Sequence, residues 1–258
     1  MKYSKFYRFK QDPFVLKNNI VTNKHIFANW KMNFTLTQAV EFCQLLTEQD
    51  QEILDKIVLA PPSIYLGLIH KLFAQIQLSS QDVSRHDQDY GALTGECSAK
   101  ILKDAGASYA IIGHYERRKY CLEGDDLIFA KALSCTKQGI KPIICFGEEN
   151  MSDNVLTALQ NLINKLPHEQ NAIYAYEPYW AIGNKDLDPQ ILTQKVVDNI
   201  LQIKSYAKQK NLAINLIYGG SVNSQNIVQL NNIPGLVGFL VGGASLNLVE
   251  LLKIVKSI

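Results

Sequence analysis

A chain of 258 residues, 47% hydrophobic and with a mean hydropathy near zero, has apolar content for one large core, and a formal charge of +2 gives it no electrostatic reason to bind nucleic acid. No apolar run reaches the length of a membrane span. The five cysteines, Cys43, Cys97, Cys121, Cys135 and Cys145, are odd in number and form no CxxC pair, which favours free thiols in a reducing cytoplasm over disulfides or zinc.

Residues 1–24 stand apart. MKYSKFYRFKQDPFVLKNNIVTNK carries six Lys or Arg against one acid and is rich in aromatics, without the apolar h-region of a signal peptide. That is about +5 on the segment and about −3 on the remainder. One Arg and one Ser fit a transit peptide poorly. The segment reads as an extension on the outside of the domain, with an interface as one place for it.

From His25 onward, short β-rich apolar runs alternate with stretches of helical spacing. The runs predict strands at HIFANWK (25–31), KIVLAP (56–61), IQLSSQD (76–82), SYAIIGH (108–114), KPIICFG (141–147), AIYAYEP (172–178), INLIYGG (214–220) and VGFLVGG (237–243). Between them, TQAVEFCQLLTEQ (37–49) and DPQILTQKVVDNILQIKSYAKQ (188–209) repeat apolar residues every three or four positions. Eight such units over 25–258 predict a single-domain α/β fold, a (β/α)8 barrel. A doubly wound sheet is the alternative, and no G-x-G-x-x-G follows the first strand to support it.

In a barrel of this kind, the C-terminal strand ends build the active site. Those ends carry Asn29 and Lys31 in NWKMN, His114 in YAIIGHYERR, Glu177 in AYEPYWAIG, and the glycine pairs of YGGSV (218–222) and LVGGASL (240–246). Asn29 and Lys31 alternate about Trp30 and so point to one side. A lysine there is a fixed charge for an anionic substrate, or simply a cation at a sheet edge. Glu177 closes an apolar strand among aromatics, where desolvation disfavours its charged form and makes it a stronger base once ionised. A strand-end glutamate paired with Lys or Arg is the plainer reading. Bare backbone ahead of helices suits an anion such as phosphate, and the AIG of 181–183, running into NKDLDP, adds Gly183 and a mobile lid.

Taken together, NWKMN, TGECSAKILKDAGASYAIIGH-x-ERR, CFGE, AYEPYWAIG, YGGSV and GFLVGGASL resemble the triosephosphate isomerase family over roughly 25–258. The resemblance implies a TIM barrel that interconverts dihydroxyacetone phosphate and D-glyceraldehyde 3-phosphate in glycolysis and gluconeogenesis, with no metal or organic cofactor. It implies Glu177 as the base, His114 as a neutral electrophile, Lys31 as charge against the oxyanion and Asn29 as an orienting group. Gly183, Ser221, Gly242 and Gly243 match positions that grip phosphate. A cytoplasmic homodimer is implied as well, the loop at 82–98 inserting into the partner so that Thr94 approaches the partner's Asn29 and the partner's Lys31, with Glu96 paired to Arg117.

Three departures from the family pattern stand out. AIGNKDLDP is shorter than the usual lid and has lost a glycine, with Lys185 at the hinge. Val237 and Leu201 stand where an aspartate–arginine pair is common, and Tyr115 replaces a serine beside the histidine. The Tyr115 ring is expected along the mouth of the site. Rival functions are a sugar-phosphate aldolase, a tryptophan-pathway synthase, or a catalytically weakened barrel kept as a triose-phosphate binder or structural partner. Apart from Lys31, the strands supply no clear Schiff-base lysine.

Overall fold

A computed structural model describes residues 24–165, 172–182 and 189–258. The basic segment, apart from Lys24, therefore lies outside the described residues. Eight parallel strands close into a barrel in sequence order: β1 (His25–Asn29), β2 (Ile57–Ala60), β3 (Gln77–Ser80), β4 (Ala107–Ile112), β5 (Lys141–Phe146), β6 (Ile173–Tyr176), β7 (Asn215–Tyr218) and β8 (Leu236–Val241). Closure comes from β1 pairing with both neighbours, Ile26 opposite Ile57 on one side and Phe239 on the other. A closed sheet rules out the doubly wound alternative.

The connections hold α1 (Leu36–Leu46), α2 (Gln51–Asp55), α3 (Leu66–Leu72), α4 (Ala99–Asp104), α5 (Tyr115–Cys121), α6 (Asp125–Lys137), α7 (Val155–Lys165), α8 (Pro189–Gln209), α9 (Ile227–Asn231) and α10 (Leu248–Val255). Helix α1 shows why its sequence folds so. Thr35 caps its start, its side chain accepting from the Gln38 N–H while Gln38 reaches back to the Thr35 N–H. Ala39, Phe42, Cys43 and Leu46 then fall on one face and are buried. Each large side chain so buried contributes about 1.5–3 kcal/mol.

Strand alternation divides the core in two. Phe27, Val58, Ile111, Ile143, Cys145, Ile173, Ala175, Ile217 and Leu240 fill the barrel interior. Ile26, Ala28, Ile144, Phe146, Tyr174, Tyr176, Leu216 and Tyr218 face outward under the helices. The parity carries beyond the strands. Asn29 and Lys31 continue the inward series after Phe27, and Glu177 continues Ile173 and Ala175.

The strands stop short of the apolar runs that predicted them. Lys31 and Gly113 have φ of 52° and 65°, left-handed values that no strand continues through, and Pro178 has no N–H to give a ladder. Of the two glycine pairs expected just before helices, only that after β8 meets a helical turn, Gly243–Leu246. After β7 the next helix waits until Ile227.

Candidate active site

Glu177 is fully buried where β6 ends. Its N–H donates to the Phe146 carbonyl at 2.8 Å, which binds it to the end of β5. Gly147 is required beside it, because a Cβ there would lie 1.7 Å from the Glu177 carbonyl oxygen. The carboxylate meets the β4–α5 junction: Oε2 accepts the Tyr115 N–H at 3.2 Å, and Oε1 lies 3.3 Å from His114 Nε2. Burial pushes the Glu177 carboxyl above its ordinary value, and His114, the Tyr115 amide and Lys31 offset only part of that shift. Among the described residues, the ion-pair contact of Glu177 is to His114 and not to a Lys or Arg, as the plainer reading would have it.

His114 reaches the mouth because Gly113 breaks the strand parity with its left-handed φ. The ring caps α5, with Nδ1 accepting the Glu116 N–H at 3.3 Å. That assigns the proton of the neutral imidazole to Nε2, on the side of Glu177 and the pocket. Asn29 Oδ1 accepts the Lys31 N–H at 3.0 Å, and Gln81 Nε2 donates to the carbonyls of Lys31 and Ala60, both at 2.8 Å. The Lys31 ammonium is held by Glu116 Oε1 at 2.8 Å. Trp30, between the two, is buried outward against Phe34 and Phe42.

These groups surround a pocket of about 310 Å³ whose lining includes Asn29, Lys31, His114, Glu177, Ser221, Gly242 and Gly243. Lys31, His114 and Glu177 contribute its titratable side chains. The ends of β7 and β8 bring glycine backbone up against them, since a Cβ on Gly219 would lie 2.8 Å from Glu177 Cγ and one on Gly242 3.3 Å from Lys31 Cε. Gly183 and the lid at 183–188 lie outside the described residues.

Two carboxylates had no role assigned from sequence. Glu116 clamps Lys31, and its place two residues after the histidine, heading the charged run Glu116-Arg117-Arg118, was the available signal. Glu148, in CFGE, is buried, and its Oε1 accepts from Tyr176 Oη (2.7 Å), Trp180 Nε1 (2.8 Å) and Asn199 Nδ2 (2.9 Å). Its position just past a strand end could have marked it.

The departures also have places. The Tyr115 hydroxyl turns to Lys119, accepting from Nζ at 2.9 Å, so the group meeting the carboxylate is the Tyr115 amide. Val237 packs at the edge of the interior core, whereas Leu201 is exposed on α8. Arg117 already contacts Asp82 at 2.8 Å and Glu123 at 2.7 Å. All five cysteines are free thiols. Among the described residues no cluster of His, Cys, Asp or Glu could hold a metal ion, and no helix is long and apolar enough to cross a membrane.

The family model described as triosephosphate isomerase matches residues 24–258. Among curated proteins, the triosephosphate isomerase of Orientia tsutsugamushi (strain Ikeda) is 37% identical, the alignment covering 90% of this chain and 97% of that one. Those of Mesomycoplasma hyopneumoniae (strain 7448) and Thermoanaerobacter pseudethanolicus are 38% and 35% identical, each covering 90% of this chain and 98% of the relative.

Proposed function

The chain belongs to the triosephosphate isomerase family, and from that premise we propose that its pocket interconverts dihydroxyacetone phosphate and D-glyceraldehyde 3-phosphate. The observation that carries the reading is one fully buried carboxylate, raised above its ordinary pKa, 3.3 Å from an imidazole nitrogen beside a lysine. Glu177 takes the proton from the hydroxymethyl carbon of the ketose. The C–H electron pair forms the enediolate, and the carbonyl oxygen gains the negative charge. His114 Nε2–H hydrogen-bonds that oxygen, Lys31 opposes its charge, and Asn29 orients the reacting carbons. The hydroxyl proton on the first carbon passes to the oxyanion on the second, and return of the proton from Glu177 to that second carbon gives the aldose, so no redox partner is required.

The phosphate goes to the backbone of Gly242 and Gly243, with Ser221 and Gly183 contributing to the grip. Holding it there keeps the two carbons over Glu177. Water must be kept out while the enediolate exists, because this intermediate otherwise eliminates its phosphate.

Assembly as a homodimer through the 82–98 loop is part of the same reading. Thr94 and Glu96 are exposed in the single chain, as are the apolar side chains of Met32 and Ile64 (95% and 81%). A second copy covering Met32 would bring Thr94 toward the partner's Asn29 and the partner's Lys31. The expected bond from Glu96 to Arg117 then has to compete with Asp82 and Glu123, which hold that guanidinium within the chain. Cytoplasmic residence in glycolysis and gluconeogenesis follows from the substrate pair.

A coupled dehydrogenase assay run in both directions tests the function. The wild type should turn over both trioses. Glu177→Gln keeps the shape and removes the base, so kcat should fall on the order of 10³-fold or more while inorganic phosphate still competes for the site. A wild type that binds triose phosphate without isomerising it points to the weakened binder instead, and a Glu177→Gln variant within tenfold of wild type would place the base elsewhere.

A further inference from the structure

Tyr115 meets the segment that carries the candidate base twice, by different routes. Its backbone N–H donates to Glu177 Oε2 at 3.2 Å. Its ring lies against the ring of Tyr179, with centroids 4.9 Å apart and planes at 34°. Tyr179 opens the short Tyr179–Ala181 turn that follows Glu177 and Pro178. The far side of Tyr115 is held too, since its hydroxyl accepts from Lys119 Nζ at 2.9 Å and that ammonium sits 5.2 Å from the ring centroid.

We propose that the Tyr115–Tyr179 stack is a positioning pair for Glu177, fixing the first turn of α5 against the segment that carries the carboxylate. The proposal rests on the reading of Glu177 as the base. Two elements with no shared backbone ladder have to be aligned for that base to point correctly. Along the chain, Glu177 is anchored to the β5 end through Phe146, and Tyr179 through its N–H to the Glu148 carbonyl at 3.1 Å. The two groups that meet its oxygens, the Tyr115 amide and His114 Nε2, instead belong to the β4–α5 junction. The tyrosine pair spans that division. It is a large, tilted aromatic contact, made by the same residue whose amide donates to the carboxylate. If it were lost, the junction could drift relative to Glu177, and misplacement by an ångström at a reacting centre lowers rates by up to about a hundredfold.

The test combines kinetics with amide exchange on the full chain. Tyr115→Ala and Tyr179→Ala should each lower kcat about tenfold and leave KM within about twofold, because the phosphate wall is untouched. Tyr115→Phe and Tyr179→Phe keep the rings and should stay within about twofold of wild type. The double alanine variant should be no slower than the slower single, because either change breaks the same contact. In Tyr179→Ala the amide of residue 115, unaltered in sequence, should exchange with solvent about tenfold faster. Thermal midpoints identify folded variants, and Tyr179→Leu keeps the volume without the stack should the alanine variant not fold. Alanine variants with wild-type kcat, additive losses in the double variant, or unchanged exchange at residue 115 would each overturn the positioning role. A wild type without isomerase activity would overturn the functional reading alone, and the exchange measurement would still decide the stack.

Discussion

At Glu177 the demands of chemistry and of folding oppose each other. Its native pKa lies above the ordinary 4.5, with burial as the main cause, so between those two values the folded chain binds more protons than the unfolded one. Stability therefore falls as pH rises through that interval, and the loss is complete above the raised value. Glu177→Gln cannot ionise, so it should melt higher than wild type at pH 7–8, with the gain shrinking as pH drops toward the ordinary carboxylate range. Calorimetric midpoints across pH check this, and a gain that does not depend on pH would show that some other effect is responsible. Leu122 presents a different residue-level strain. It ends α5 in the left-handed region with φ 55°, yet 86% of its surface is exposed, so little burial compensates. A left-handed non-glycine costs about 1–2 kcal/mol, against about 0.5–1 kcal/mol of added chain entropy for glycine. Leu122→Gly should thus stabilise by roughly 0.5–1 kcal/mol in urea denaturation, and a destabilised variant would mean that the side chain packs against something beyond the single chain.

Elements, rather than residues, decide what could be read from the sequence. The eight strands were legible because buried parallel strands are apolar runs, and the inward or outward sense of each followed from alternation. Asn29, Lys31 and Glu177 were legible for the same reason, since each extends the inward series of its strand. His114 lies off that parity and turns inward only through the φ of Gly113, which a sequence pattern does not contain. Lys131 was wholly illegible. It lies in α6, where a lysine ordinarily faces water, yet it is 2% exposed and bonds Asp82 at 2.6 Å and Glu123 at 2.7 Å. Arg117 closes the group from α5. Burial raises the Glu123 carboxyl, but the bonds and charges of Lys131 and Arg117 outweigh it and leave the group lowered. Asp82, for which burial wins over the same cations, is raised. Such a network joins the loop after β3 to α5 and α6 through tertiary contact alone. Removing its central cation should be costly: Lys131→Met is expected to destabilise by about 3–5 kcal/mol, because Glu123 is left as a poorly compensated buried charge. Adding Glu123→Gln should recover part of that loss. A Lys131→Met protein as stable as wild type would show that the cluster contributes nothing net.

For the whole molecule, the described site residues and the point where the basic extension attaches are at opposite ends of β1. Every candidate site residue falls at or after Asn29 in sequence, and the described ones lie at the C-terminal mouth, whereas the extension joins the barrel where β1 begins at His25. The first tie of the described chain is Lys24, whose Nζ donates to the Asn231 carbonyl at 2.8 Å and to Asn231 Oδ1 at 2.5 Å, fastening the start of β1 to the end of α9. That geometry makes Lys24 part of the barrel, so a truncation meant to leave the barrel whole should end at residue 23. Charge argues for independence too. The extension is strongly cationic, but exposed charges more than about 8 Å from the site are largely screened at physiological ionic strength. A chain beginning at Lys24 is therefore expected to keep kcat and KM for glyceraldehyde 3-phosphate within about twofold of the full chain. Truncation at Lys24 combined with Lys24→Ala should lower the thermal midpoint without changing kcat, because the lost bonds are structural and remote from Glu177. A truncated chain that stays folded, with its oligomeric state unchanged by light scattering, yet loses more than tenfold in kcat would show that the extension reaches the C-terminal mouth.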